Sequence, residues 1–170
     1  MHQDAESILF TEAEIARRVR ELGQRITQDY AQAGQLLVVG ILKGAAVFMS
    51  DLIREIKLPL QIDYMLVSSY ANSASSSGKI TIKKDLSVPI AGLNVLLVED
   101  IVDTGNTLHF LLDYLGQREP ASLKICTFLD KPSRRLAPVK AAYTGFVIED
   151  DRFIVGYGLD YAEQYRNLPY

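Results

Sequence analysis

At 170 residues, with 48% hydrophobic and 23% charged residues, the chain is sized and composed for one globular domain with a substantial core. A net charge of −3 argues against generic affinity for nucleic acid, whose phosphates call for a basic surface, and no apolar run approaches the ~18 residues of a membrane span. The one cysteine, Cys126, excludes an internal disulfide, and its apolar neighbours predict a buried structural thiol.

Met1 to Phe10 carries no basic region ahead of its apolar patch, so it does not read as a signal peptide, and the expectation is a cytoplasmic protein. Thr11-Glu12-Ala13-Glu14 has the capping-box pattern that opens a helix. Ile15, Val19, Leu22, Ile26 and Tyr30 follow at helical spacing, with Gly34 as a stop. Leu36 to Leu42 is a short, continuously apolar run, as in a strand covered on both faces of a parallel sheet. After Lys43-Gly44, the residues Ala45, Phe48, Met49, Leu52, Ile53 and Ile56 trace a second helix ending before Pro59. Leu60 to Val67 reads as a strand. Ser68 to Lys79 contains six serines and little to bury, a composition that favours a mobile loop, and Ile80 to Ile82 closes a long hairpin.

Val95 to Glu99 reads as the next buried strand, introduced by the turn residues Gly92 and Asn94. Leu108, Leu111, Leu112 and Leu115 give a helix, Ser122 to Leu129 another strand, and Phe146 to Ile148 and Phe153 to Tyr157 short apolar segments. Internal repeats and a domain linker are absent from the sequence. Strand and helix alternate through the middle, which predicts an α/β fold with a doubly wound, mainly parallel sheet flanked by helices.

The unusual chemistry lies between that strand and its helix. Glu99, Asp100 and Asp103 crowd three carboxylates into five residues, and Thr104-Gly105-Asn106-Thr107 opens the helix. Small side chains, hydroxyls and unpaired N–H groups at a helix N-terminus make an anion site. It is neither G-x-x-x-x-G-K-[ST] nor G-x-G-x-x-G, and Gly156-Tyr157-Gly158 is only a weak match to the latter. A carboxylate beside a phosphate is repelled unless it faces sugar hydroxyls or a divalent cation. Glu99 and Asp100 suit a ribose diol or Mg²⁺, and Asp103 is then free for proton work. Together these suggest a ribose phosphate; the bland alternative is a solvated acidic turn before an ordinary helix cap.

The run V-E-D-I-V-D-T-G-N-T, Val98 to Thr107, closely resembles the phosphoribosyl-pyrophosphate signature of the type I phosphoribosyltransferases. Further matches point to the hypoxanthine-guanine branch: V-G-I-L-K-G ending at Gly44, S-S-Y from Ser68, D-K-P-S-R-R from Asp130 and F-I-V-G-Y-G-L-D-Y from Phe153. The resemblance implies a single phosphoribosyltransferase domain over 1–170, with a core of about 36–158, a small hood from the N-terminal and C-terminal segments, and a lid loop over about 68–79. It implies transfer of the phosphoribosyl group from phosphoribosyl pyrophosphate to N9 of a 6-oxopurine, with Mg²⁺ as cofactor, in a homodimer or homotetramer that binds neither nucleic acid nor membrane.

Residue by residue, the resemblance places the 5′-phosphate on Asp103 to Thr107 (Asp103, Thr104, Gly105, Asn106, Thr107), with Asp103 acting on the purine N7 proton. Glu99 and Asp100 meet the ribose hydroxyls and Mg²⁺, and Asp160 a second Mg²⁺ through water. Lys43, Gly44 and Arg166 bind pyrophosphate, with a cis peptide expected between Leu42 and Lys43, and Ser69 and Tyr70 form the lid tip. Lys131 donates to the 6-oxo group, Phe153 stacks on the base, and the Ile154 backbone reads its edge. Asn106 stands where some relatives carry a basic side chain, which leaves the preference between hypoxanthine and guanine open.

Without the resemblance, Lys131 reads as an exposed lysine, Phe153 as core, and Asp160 and Arg166 as surface residues. Arg134 and Arg135 read as an exposed loop, with phosphate ligands as the alternative, Glu149 to Asp151 as a solvated turn, and His109 as structural; His2 is assigned no role. Two competing readings stand beside the main one: a xanthine-preferring relative, and a nucleotide-sensing regulator with the same fold. An ammonium at Lys131 donates but cannot accept, which favours a 6-oxo base over adenine. The acidic net charge weighs against a nucleic-acid-binding regulator.

Overall fold

The structure, a computed structural model, describes residues 6–69 and 80–170. Tyr70 and the serine-rich stretch to Lys79 lie outside the described residues. Helix α1 (Glu12–Tyr30) begins with the expected capping box: Thr11 N–H donates to Glu14 Oε2 at 2.8 Å and Glu14 N–H to Thr11 Oγ1 at 3.3 Å. It stops ahead of Gly34, at Tyr30, with Ala31 as its C-cap; Gly34, with φ at 85°, instead turns the chain toward the first strand.

The remaining elements are β1 (Leu36–Leu42), α2 (Ala45–Glu55), β2 (Leu60–Ser69), β3 (Ile80–Lys84), β4 (Asn94–Val102), α3 (Asn106–Gly116), β5 (Ser122–Asp130) and β6 (Tyr143–Val147). A single 3-10 turn, Pro132–Arg134, follows β5. Six strands form one sheet in the order β3-β2-β1-β4-β5-β6. Every pairing is parallel except the β2–β3 hairpin. The expected mainly parallel α/β sheet is therefore present.

Both faces of that sheet are covered, which is why its strands read as unbroken apolar runs. Val38, Leu96 and Val98 pack with Ile15, Leu22, Phe48 and Leu52 of α1 and α2. Their strand neighbours Leu37, Val39, Val95 and Leu97 point the other way, toward Leu108, Leu111 and Leu115 of α3. Cys126 is fully buried, and burial pushes its thiol far above the ordinary range, as suits a structural residue.

Strand β4 runs on to Val102, further than the apolar run alone predicts. Its pairing with β5 continues through Ile101↔Leu129 and Val102↔Asp130, whereas its pairing with β1 ends at Gly40↔Val98. Chain direction across the sheet reverses between β1 and β4, and in such sheets ligands bind beyond the carboxyl ends of the strands at that reversal. The loops after β1 and β4 open there.

Helix α3 is tied to the opposite edge by an acid. Asp85 Oδ2 accepts from the Tyr114 hydroxyl at 2.6 Å and from Arg118 Nη2 at 2.5 Å, and Asp85 Oδ1 accepts from Arg118 Nη1 at 3.1 Å. Burial pushes the Asp85 carboxyl up, but the bonds from Arg118, Tyr114 and the Leu86 N–H outweigh it and hold the pKa at about 2. A depressed folded-state pKa contributes stability above the unfolded value, and that contribution is lost as pH falls through about 2. Asp85→Asn should cost about 1–2 kcal/mol at neutral pH, trimmed by solvent screening of this partly exposed pair. In denaturant melts at several pH values, the gap between variant and parent should close between pH ~4 and ~2; a gap that stays constant would remove the Asp85 charge from the stability of α3.

Candidate active site

The rim is built from the ends of three neighbouring strands. After β1, the Leu42–Lys43 peptide is cis, as the resemblance implies, and Gly44 caps α2. A Cβ at Gly44 would lie 1.6 Å from Asp100 Oδ2, so glycine alone allows the backbone to pass the carboxylate. The Gly158 backbone seals the same corner, since a Cβ there would lie 2.2 Å from the Gly44 carbonyl oxygen.

Glu99 and Asp100 lie in the last part of β4 rather than in a solvated turn, because the pairing with β5 carries the strand past them. Burial, and then the neighbouring Asp100 charge, push the Glu99 carboxyl well above the carboxylate range. Burial raises Asp100 too, against hydrogen bonds from Glu99 and the Ile101 N–H and the charge of Arg166. Two adjacent acids that resist ionisation in the protein alone are a place for a cation. Among the described residues no group of three or more His, Cys, Asp or Glu side chains converges as a metal cage. Asp160, expected near a second cation, pairs with Arg166, whose Nη2 lies 2.8 Å from Asp160 Oδ1.

Arg166 also donates to the Gly158 carbonyl at 2.7 Å, while its Nε is buried without a hydrogen-bond partner. A buried unpartnered guanidinium N–H suits an anion at that corner. Lys43 projects from the β1 loop, and its Nζ lies 2.7 Å from Glu163 Oε2. The three residues expected to hold pyrophosphate are thus grouped by structure. Ser69 ends β2 opposite Ile80; Tyr70 lies outside the described residues.

The expected phosphate loop follows β4. Gly105 is the N-cap of α3 with φ at 81°, a left-handed conformation that favours glycine, and it has no side chain to cap the helix. The Thr104 hydroxyl accepts from the Asn106 N–H at 3.4 Å, and the following first-turn N–H groups are open to a ligand. The loop is held from behind: the Thr104 carbonyl accepts from the N–H groups of Leu136 at 2.9 Å and Ala137 at 3.0 Å.

Arg135 does most of this bracing, contrary to the exposed loop expected from sequence. It donates to the carbonyls of Asp103 at 3.1 Å, Val139 at 2.7 Å and Val102 at 3.4 Å, and pairs with Asp130; only 17% of its side chain is exposed. Its positive charge is therefore spent on carbonyl groups around the loop. The sequence signal that could have found it is an arginine five residues after Asp130, the acid that closes β5 and pairs with it.

Lys131 is 5% exposed, so the bland reading of an exposed lysine fails. Its N–H donates to the Val102 carbonyl at 2.9 Å, joining the ends of β4 and β5, and its Nζ donates to the Arg152 carbonyl at 2.6 Å. Phe153 is 73% exposed, so it is not core; its ring lies edge-on to Tyr161 with centroids 5.7 Å apart. Ile154 is partly buried against the core. A cavity of about 1020 Å³ opens beside Phe153 and Ile154, under Leu9, Phe10 and Tyr161. Neither Lys131 nor Asp103 is in its walls. The acidic run is exposed, but Asp150 pairs with Arg152 and Asp151 with Arg134.

A family model for the phosphoribosyl transferase domain matches residues 6–162. The bifunctional protein TilS/HprT of Listeria innocua is 48% identical over all 170 residues, and this chain spans only 26% of that protein's length. The hypoxanthine-guanine phosphoribosyltransferase of Bacillus subtilis is 49% identical over 100% of this chain and 93% of its own. The crystal structure of a hypoxanthine phosphoribosyltransferase from Trypanosoma cruzi in complex with the product IMP superposes with a TM-score of 0.93 at 40% identity, covering 99% of this chain and 94% of that one. With the switch-point rim, the glycine-led helix start and the cis peptide in place, these likenesses show that the chain belongs to the phosphoribosyltransferase family.

Proposed function

We propose that this chain transfers the 5-phosphoribosyl group from phosphoribosyl pyrophosphate to N9 of hypoxanthine and guanine, giving IMP or GMP and pyrophosphate. One observation carries the purine half of this reading: a buried lysine ends β5 directly beside the β4–α3 phosphate loop, joined to it by the Lys131 N–H to Val102 carbonyl bond. An ammonium carries three donors and the Arg152 carbonyl takes one of them; a 6-oxo group can accept another where the 6-amino group of adenine cannot. The names of the relatives in Bacillus and Trypanosoma support the same substrates.

The residues divide the reaction by chemistry. Thr104 to Thr107 hold the 5′-phosphate by N–H and hydroxyl donors at the positive end of α3. Asp103, the next residue back, accepts the N7 proton as N9 forms its bond to the anomeric carbon. Phe153 stacks on the base, and the Ile154 backbone reads its edge. Lys43, Gly44 and Arg166 receive the departing pyrophosphate. Water would capture the ribosyl centre in an open site, so Ser69, Tyr70 and the serine-rich loop are assigned to cover it.

Mg²⁺ fits the acids that are present. It typically takes one or two carboxylates and completes its octahedron with water and substrate oxygens, and Glu99 with Asp100 provides such a pair. When bound, it neutralises charge growing on the leaving pyrophosphate. Asp160 is assigned to a second ion through water. A homodimer or homotetramer in the cytoplasm completes this reading; among the described residues no helix is long and apolar enough to cross a membrane.

The direct test is turnover with Mg²⁺, phosphoribosyl pyrophosphate and a panel of hypoxanthine, guanine, xanthine and adenine. Product from the first two supports the assignment; a clear preference for xanthine or adenine, or no product at all, overturns it. Asp103→Asn should lower kcat by ~100-fold or more while changing phosphoribosyl-pyrophosphate affinity less than ~3-fold, since the loss is proton transfer. Equal damage to both quantities would take Asp103 out of that role. Lys131→Ala should cut kcat/KM for hypoxanthine by ~10- to 100-fold, the worth of a charged hydrogen bond, and unchanged base selectivity would end the Lys131 assignment.

The raised Glu99 and Asp100 set a pH dependence. Carboxyls whose pKa is raised release protons more readily when a cation binds than at rest, so Mg²⁺ affinity should weaken as pH falls. Calorimetry with phosphoribosyl pyrophosphate present, in buffers of different ionisation enthalpy, should show that release, and it should be smaller in Glu99→Gln. Identical proton counts in parent and variant would remove Glu99 from the cation site.

A further inference from the structure

Arg134 has no part in the assignments above, yet it connects two of them. Its Nε lies 2.8 Å from Asp103 Oδ1, an ion pair without hydrogen-bond geometry, and that buried oxygen has no hydrogen-bond partner in the protein alone. On the other side, its Nη1 donates to Asp151 Oδ1 at 2.7 Å. Asp151 Oδ1 in turn lies 3.9 Å from Lys131 Nζ. Charges therefore alternate along Asp103, Arg134, Asp151 and Lys131, from the head of the phosphate loop to the end of β5.

The guanidinium fork is planar and stiff, so one arginine spanning two carboxylates fixes their separation, which a lysine on a flexible stem cannot do. Its neighbour Arg135 donates to the Asp103 carbonyl at 3.1 Å, so consecutive arginines restrain Asp103 at side chain and main chain. The Arg134 hydrogen bond holds Asp151 below the usual carboxylate range, which keeps the link charged at neutral pH. Arg134 and Asp103 keep 44% and 39% of their side chains exposed, so this pair contributes little to stability. What it controls is where the atoms sit.

We propose that Arg134 and Asp151 are positioning residues that set the spacing between Asp103 and Lys131, so that the carboxylate meets N7 and the ammonium meets the 6-oxo oxygen of one purine edge. This rests on the roles given to Asp103 and Lys131 under the proposed function. N7 and the 6-oxo oxygen are neighbours on the bicycle, so donor and acceptor must arrive at a fixed offset. A carboxylate free to turn loses that offset, and a displacement of ~1 Å at a reacting group costs ~100-fold.

Steady-state kinetics of the full chain with hypoxanthine, Mg²⁺ and phosphoribosyl pyrophosphate test the bridge. Arg134→Ala should lower kcat by ~10-fold and raise KM for the base, while KM for phosphoribosyl pyrophosphate stays within ~2-fold and Tm is unchanged. Arg134→Lys keeps the charge but cannot span both acids, so it should recover only part of the loss. Asp151→Asn should move the same parameters in the same direction. The double variant Arg134→Ala/Asp151→Asn should be no worse than Arg134→Ala alone, because the link is already cut. Parental kcat in Arg134→Ala, full recovery by lysine, equal loss toward both substrates, or losses that multiply in the double variant would each overturn the bridge. Asp103→Asn separates the two levels. If it retains full turnover, the role of Asp103 fails and the bridge with it; if it loses turnover as expected while Arg134→Ala keeps the parental kcat and base KM, only the bridge fails.

Discussion

Strand β4 lies between β1 and β5 and is paired to β5 through its last residue, Val102. That pairing sets three loops on one rim: Lys43-Gly44 after β1, Asp103 to Thr107 after β4 and Lys131 after β5. Parallel strands make this possible, since each delivers its carboxyl end to the same side of the sheet. The contacts between loops are correspondingly tight. Gly44 has no room for a Cβ beside Asp100, and Gly158 none beside the Gly44 carbonyl.

Electrostatics follows from that packing. Glu99 and Asp100 are adjacent and partly buried, so desolvation raises both carboxyls and the Asp100 charge raises Glu99 further, a cost that a cation would relieve. Asp103 is separated from them by two apolar residues, Ile101 and Val102, and meets Arg134 instead. Three neighbouring acids thereby receive two different environments. Around the loop, Arg135 uses its donors on main-chain carbonyls. At the start of α3 the N-cap glycine offers no side chain, and only the Thr104 hydroxyl, at 3.4 Å from the Asn106 N–H, reaches the first-turn donors. The Asp85–Arg118–Tyr114 cluster holds the far end of the same helix.

The Arg134–Asp151 link gives the surface of the site a purpose that exposure alone would conceal. Surface ion pairs usually contribute little to folding. Here a pair joins the residue assigned to N7 with the one assigned to the 6-oxo group, so its value lies in geometry. Lys131 is itself held by the Arg152 carbonyl, and the exposed Phe153 follows directly after that residue.

Local sequence determined much of this protein. The helical spacing from Ile15 to Tyr30, the Thr11–Glu14 capping box and the unbroken apolar runs of β1, β4 and β5 each follow from near-neighbour physics. The ordered series Glu99, Asp100, Asp103 and Thr104 to Thr107 likewise carries its chemistry within nine residues of chain. Tertiary structure decided the rest. How far β4 extends depends on a partner more than twenty residues away, and the burial of Lys131 depends on Val102 and Arg152. Arg135 looked exposed because its acceptors, the carbonyls of Val102 and Asp103, are distant in sequence. Periodicity reports which face of an element is apolar; it holds no information on which loops the sheet will bring together, because parallel pairing joins segments that share no local signal.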